Sequence, residues 1–199
     1  DWLMISDEVL TGLGRTGRMW GIQHYGVIPD ILVYGKNLCG GIAPLCGVSA
    51  RDDIMGDNDE FMSGSTFAGT PAGCAAAIRT LQIFERDHIV DHARALGEMA
   101  ADIMSGWSRY GIVRQARGNG LLLGVSFGKP ESAAAEEQDW WTARAVRGKM
   151  LEQGVWAISD RQDTIRMYPA LNRQEAVLRE GLQIMEDASR RSRVLLMFK

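Results

Sequence analysis

Two short apolar runs, each ending at a charged residue, set the tightest limit on what this chain can fold into. Leu3-Met4-Ile5-Ser6 runs into Asp7, and Ile31-Leu32-Val33-Tyr34 runs through Gly35 into Lys36. Neither alternates apolar with polar residues, as a half-solvated strand does. Continuous runs of this kind read as strands of a parallel sheet covered on both faces. In open α/β sheets the carboxyl ends of the strands line the ligand crevice. Asp7 and Lys36 both fall at such ends, so the pattern predicts two opposite charges facing one crevice.

The connections support an α/β class. Gly12-Leu13-Gly14-Arg15-Thr16-Gly17 is a glycine-punctuated loop, and Gly64-Ser65-Thr66-Phe67-Ala68-Gly69 is a loop of small residues. Thr70-Pro71 reads as a helix N-cap followed by proline at the first helical position. That helix is predicted to run to about Arg86, and another from about Ile89 to Trp107. The character then changes. Strands are predicted at 112–117, 121–127, 155–159 and 164–168, and helices at 136–153 and 173–189. The expected organisation is an α/β part over 1–108 and a smaller α+β part over 109–199. The segment from Arg190 onward has no clear reading.

Composition excludes several classes. At 199 residues and 46% hydrophobic, the chain can bury a substantial core. The net charge is −3 and no basic stripe appears, so nucleic acid is not an expected partner. The longest apolar runs are a few residues, so no membrane span is expected, and no signal-peptide pattern opens the chain. Cys39, Cys46 and Cys74 are an odd number with no C-x-x-C pair, which reads as free thiols in a reducing, cytoplasmic setting rather than a zinc site. The chain opens at Asp1 without a methionine and enters an apolar strand at once, so it is expected to be part of something longer.

Each candidate residue has a plain reading beside its functional one. Most lysines are solvated, but Lys36 follows an apolar strand. Desolvation there would lower its pKa and activate the amine for Schiff-base chemistry. Asp7 could be an ordinary turn aspartate, or it could hold a cationic ring nitrogen. Ser65 and Thr66 could cap a turn, or their hydroxyls could bind an anion near a helix N-terminus. Arg166 alternates with Ile165 and Met167 along a strand, so it faces away from them. It could be a plain surface arginine or a carboxylate clamp. The G-x-G-x-x-G match at Gly12 to Gly17 fails as a dinucleotide fingerprint, because no good helix follows it and no acid stands about 20 residues on. His88 and His92 lie four apart without a third ligand, which leaves a solvated helix face.

Taken together the motifs are far more specific. Asp7-Glu8-Val9-x-Thr11-Gly12-x-Gly14-Arg15-Thr16-Gly17, Pro29-Asp30-Ile31, Lys36 with Gly40-Gly41, Gly64-Ser65-Thr66-Phe67 and Arg166-x-x-Pro169-x-Leu171 occur in this order. The series closely resembles the class III aminotransferases, pyridoxal-phosphate (PLP) enzymes of fold type I that include ω-amino-acid transaminases. The resemblance covers nearly the whole chain. It implies the second half of a large-domain sheet followed by a C-terminal α+β small domain. Lys36 resembles the lysine that forms a Schiff base with PLP and then shuttles a proton. Asp7 resembles the partner of the pyridinium nitrogen, and Val9 the residue packed on the ring face. Ser65 and Thr66 resemble the pair whose threonine reaches the PLP phosphate of a neighbouring subunit, which implies a homodimer or higher oligomer with shared sites. Arg166 resembles the arginine that binds a substrate carboxylate. The implied partners are a small amino donor and a 2-oxo acid acceptor.

Three departures qualify the resemblance. Leu10 stands where many family members carry a glutamine that contacts the cofactor. Gly35 precedes the lysine where alanine or serine is common. The family's N-terminal half has no counterpart here. An aminomutase, a dialkylglycine-type decarboxylase and an incomplete, non-catalytic fragment stay open as alternatives, with a nicotinamide enzyme as a weaker one.

Overall fold

The structure is a computed structural model, and it describes residues 2–56, 66, 68–128, 139–159 and 163–197. The chain divides into two compact units, Asp1–Ala93 and Arg94–Lys199. The division falls inside a helix, whereas the change in sequence character lies near residue 108.

In the first unit β1 (Ile5–Asp7) pairs in parallel with β2 (Ile31–Tyr34), with Asp7 opposite Val33. The two runs that dominate the sequence are thus neighbours in one sheet. The ladder begins before β1, where Met4 O accepts from the Asp30 and Ile31 amides at 3.0 and 3.1 Å. A third strand, β3 (Gly47–Ala50), adds antiparallel to β2 and gives the order β1-β2-β3. Two expectations need correction here. The sheet is mixed rather than parallel. The first apolar run is also not buried: Leu3 is 57% exposed and Ile5 61%. Strand β1 is an edge strand paired only with β2 among the described residues, and the faces of the sheet that carry its side chains are left uncovered.

After β3 come a single helical turn, α1 (Asp52–Met55), and the long helix α2 (Pro71–Arg86). Proline stands at the start of α2 as predicted, and Thr70 O accepts the first helical hydrogen bond from Cys74 N at 2.9 Å. Helix α3 (Ile89–Met104) crosses the division between the units.

In the second unit a 3-10 turn, Trp107–Tyr110, leads into the hairpin of β4 (Val113–Asn119) and β5 (Leu122–Phe127). Gly120 turns the hairpin at φ 53°. Strand β6 (Thr164–Met167) pairs antiparallel with β5, giving the order β4-β5-β6. The strand predicted at 155–159 is reduced to one bridge, Ile158 to Arg166. Helix α4 (Asp139–Glu152) packs on β5 and β6 and against α5 (Glu175–Met197). Leu123, Val125, Phe127, Val146, Met150, Ile165, Leu182 and Met185 are almost fully buried, which places the core of this unit between sheet and helices. Helix α5 carries its stripe of Leu178, Leu182, Met185 and Ala188 on to the buried Ser192, so residues 190–197 are helix where the sequence had no reading.

Candidate cofactor site

Lys36 opens a 3-10 turn, Lys36–Cys39, directly after Gly35 at the end of β2. The turn is anchored from its far end. Leu38 and Cys39 are buried with Leu13 and Ala77 in a small cluster against which Trp20, Tyr34, Leu45 and Phe84 pack. The Cys39 thiol donates to Gly73 O of α2 at 3.3 Å. Gly40 closes the turn at φ 59° with its amide on Asn37 O at 3.0 Å. With Leu38 and Cys39 fixed inward, Lys36 is left pointing out. Its side chain is exposed and its backbone is left-handed, at φ 47°. The expectation of a desolvated lysine is therefore corrected for this chain: Lys36 follows the strand but lies outside the core, because the turn buries Leu38 and Cys39 instead.

Asp7 ends β1 and is exposed. One carboxylate oxygen accepts the Val9 amide at 3.0 Å, an Asx turn that binds aspartate direction to local backbone direction. Val9 itself is partly buried. Asp7 is thus the last residue of β1 and Lys36 lies just past the carboxyl end of its parallel neighbour β2, at the same ends of the two strands as the spacing predicts.

Glu8, between Asp7 and Val9, was not singled out by the sequence. It is only 2% exposed. Its carboxylate accepts four hydrogen bonds, from Ser6 Oγ (3.2 Å), Thr11 Oγ1 (2.5 Å), Gly21 N (2.8 Å) and Ile22 N (2.7 Å). Burial alone would raise its pKa. The bonds from Thr11, Ile22, Gly21 and Ser6 outweigh burial and hold it below the ordinary carboxylate value. The only sequence signal was two small polar residues, Ser6 and Thr11, flanking an acid at the head of a glycine loop.

That loop has no helix behind it. Residues 21–25 form a 3-10 turn, with Trp20 N on the Gln23 side chain at 3.0 Å. This removes the structural context that a dinucleotide fingerprint needs.

Thr66 is exposed in a turn, and Ser65 lies outside the described residues. Arg166 belongs to the second unit. It alternates with Ile165, which is 0% exposed, so it takes the opposite face of β6, as expected. Arg166 and Arg173 border a cavity of about 350 Å³ with Trp156, Tyr168, Val177 and Leu182. His88 and His92 are not part of any metal-ligand cluster among the described residues. All three cysteines are free thiols.

The donor set at the first unit's strand ends suits PLP. An exposed amine is the group an aldehyde requires, and an exposed carboxylate is the group a protonated pyridine nitrogen requires.

The comparisons with known proteins agree. The family model "Aminotransferase class-III" matches residues 1–189. An acetylornithine aminotransferase of Gloeobacter violaceus is 36% identical across 92% of this chain and 43% of its own length. The 5-aminovalerate aminotransferase of Pseudomonas putida is 33% identical across 93% of this chain and 43% of its own. The ornithine aminotransferase structure from Toxoplasma gondii, described with partial occupancy of PLP at its active site, superposes with a TM-score of 0.84 at 30% identity. It is covered over 43% of its length by 95% of this chain. The chain therefore spans less than half the length of the relatives it matches. Its fold is that of the fold type I, PLP-dependent aminotransferases, and the chain belongs to the class III aminotransferase family.

Proposed function

We propose that this chain carries the lysine-bearing part of a PLP-dependent transaminase that moves an amino group from an amine or ω-amino acid to a 2-oxo acid. One observation carries the reading: Asp7 ends β1, in register with Val33 of the parallel neighbour β2, and Lys36 follows two residues after β2 ends. The names of the relatives, which act on ornithine, acetylornithine and 5-aminovalerate, support a donor whose amine is distant from its carboxylate.

Bound PLP supplies an electron sink for the charge left when a proton leaves the substrate carbon. The residues of this chain do the rest. The Lys36 amine would hold the cofactor's aldehyde carbon and would carry the proton at the substrate carbon. The Asp7 carboxylate accepts the hydrogen bond of the ring nitrogen and keeps that nitrogen protonated. Val9 packs on the ring. Thr66, with Ser65, takes the phosphate of a neighbouring subunit's cofactor, which makes a homodimer with shared sites the working assembly. Arg166 takes a substrate carboxylate. The free thiols fit a cytoplasmic setting.

A second reading has its own observation. The chain spans less than half of its relatives, so a fragment that folds without turnover is the alternative. An aminomutase or a dialkylglycine-type decarboxylase would use the same Lys36 and Asp7. The test is PLP capture. The chain is mixed with PLP, its visible spectrum recorded, and the mixture reduced with borohydride and mapped by peptide mass. We expect a visible band that borohydride removes and a pyridoxyl mass on the Lys36 peptide. Lys36→Ala should show neither. A pyridoxyl mass on another lysine in the wild type would overturn the assignment.

A further inference from the structure

One buried side chain beside the proposed cofactor site is left without a role. Glu8 is held from every direction. Its amide continues the parallel ladder onto Val33 O at 2.8 Å, and its carbonyl accepts Gly12 N at 2.9 Å. Its side chain reaches across to amides 13 and 14 residues away in sequence. The residue therefore joins β1, β2, the glycine loop and the turn at Gly21.

The bonds divide evenly between the two oxygens. Oε1 accepts Ser6 Oγ and Ile22 N, and Oε2 accepts Thr11 Oγ1 and Gly21 N. Hydroxyls can turn to donate or accept, but a backbone N–H only donates. Each oxygen carries one such N–H. An amide in place of the carboxylate would put its NH2 against an N–H whichever way it was flipped, so the site is built for a carboxylate.

Successive side chains of an extended segment point to opposite sides. Glu8 drawn inward sends Asp7 outward. Asp7 is then tied to the Val9 amide, and the direction of that amide depends on how the main chain of Glu8 is held between Val33 and Gly12. We propose that Glu8 is a positioning residue for the cofactor site, whose buried carboxylate sets the turn that aims Asp7. The proposal rests on the reading of Asp7 as the partner of the PLP ring nitrogen.

The test separates aiming from mere stapling. Amide hydrogen exchange is followed residue by residue in the wild-type chain, in Glu8→Gln and Glu8→Asp, and in Gly97→Ala, a destabilising substitution in the second unit. Exchange at Val9, the donor that Asp7 accepts, should quicken at least ten-fold in both Glu8 variants and stay unchanged in Gly97→Ala. The Kd for PLP should rise several-fold in the Glu8 variants. If these fail to fold, Thr11→Val removes a single donor and should give a smaller rise of the same kind. Faster exchange at Gly21 and Ile22 with Val9 unmoved would mean that Glu8 only staples the loop, and would overturn the proposal while PLP capture stands. A wild-type chain that captures no PLP would instead fail the cofactor reading, and the proposal with it.

Discussion

Lys36 occupies a backbone conformation that costs a residue with a side chain about 1 kcal/mol or more. The load is carried because Leu38 and Cys39 are fixed in the core on one side and β2 on the other. Glycine pays no such cost, and alanine does. Lys36→Gly should therefore be more stable than Lys36→Ala by about 1 kcal/mol in urea titration, although both lose the amine. Equal stabilities would show that the strain is relieved elsewhere. Glu8 supplies a second expectation at this scale. Its folded pKa lies below the ordinary 4.5. Its contribution is thus fully present above about pH 4.5 and is lost as the pH falls through the lowered folded value. Urea midpoints measured downward from pH 6 should fall more steeply for the wild type than for Glu8→Gln. Parallel curves would mean that Glu8 is not the group being titrated. Lys36 and Asp7 were legible because they end apolar runs. Glu8 was not, since an acid beside another acid reads as solvated until the amides that bury it come back through a loop.

The elements were legible where one period dominates. Helix α2 begins at its proline, and β2 falls on its apolar run. Strand β3 was missed because Val48 is the one large apolar residue in Gly47–Ala50, and it is half exposed, so the strand carries almost no burial signal. The segment 155–159 looks like a strand but makes one bridge, with Trp156 left 71% exposed. Packing between elements also decides the sign of a change that local preference gets wrong. A Cβ on Gly97 of α3 would lie 2.4 Å from Gly120 Cα in the β4–β5 turn. Helix preference favours alanine over glycine by about 1 kcal/mol, whereas forcing a methyl against backbone costs about 1–3 kcal/mol. Gly97→Ala should therefore destabilise the chain, by about 1 kcal/mol net in urea titration. A gain in stability would mean that the hairpin turn moves aside without cost.

For the molecule as a whole, burial is uneven. Among the described residues, only Leu13 and Glu8 of the largest fully buried side chains belong to the first unit, while Trp107, Phe127, Met104, Ile112, Met150, Ile165, Leu182 and Met185 belong to the second. Among the described residues most large exposed apolar side chains, Trp2, Leu3, Ile5, Tyr25, Ile28 and Ile42 included, lie in the first unit, against Leu151, Trp156 and Val177 in the second. Sequence could not show this, because burial of a run such as Leu3 to Ser6 depends on what covers it. Local opening is easiest where few apolar contacts must be given up. A protease added at low concentration should therefore nick the segment between Trp2 and Met55 first and leave a longer-lived piece that keeps the β4-β5-β6 sheet. Simultaneous loss of both would mean that the chain opens as one cooperative body. The proposed cofactor residues Asp7 and Lys36 lie in the part that opens first, so a bound aldehyde that ties Lys36 down would also lengthen the survival of the whole chain under digestion.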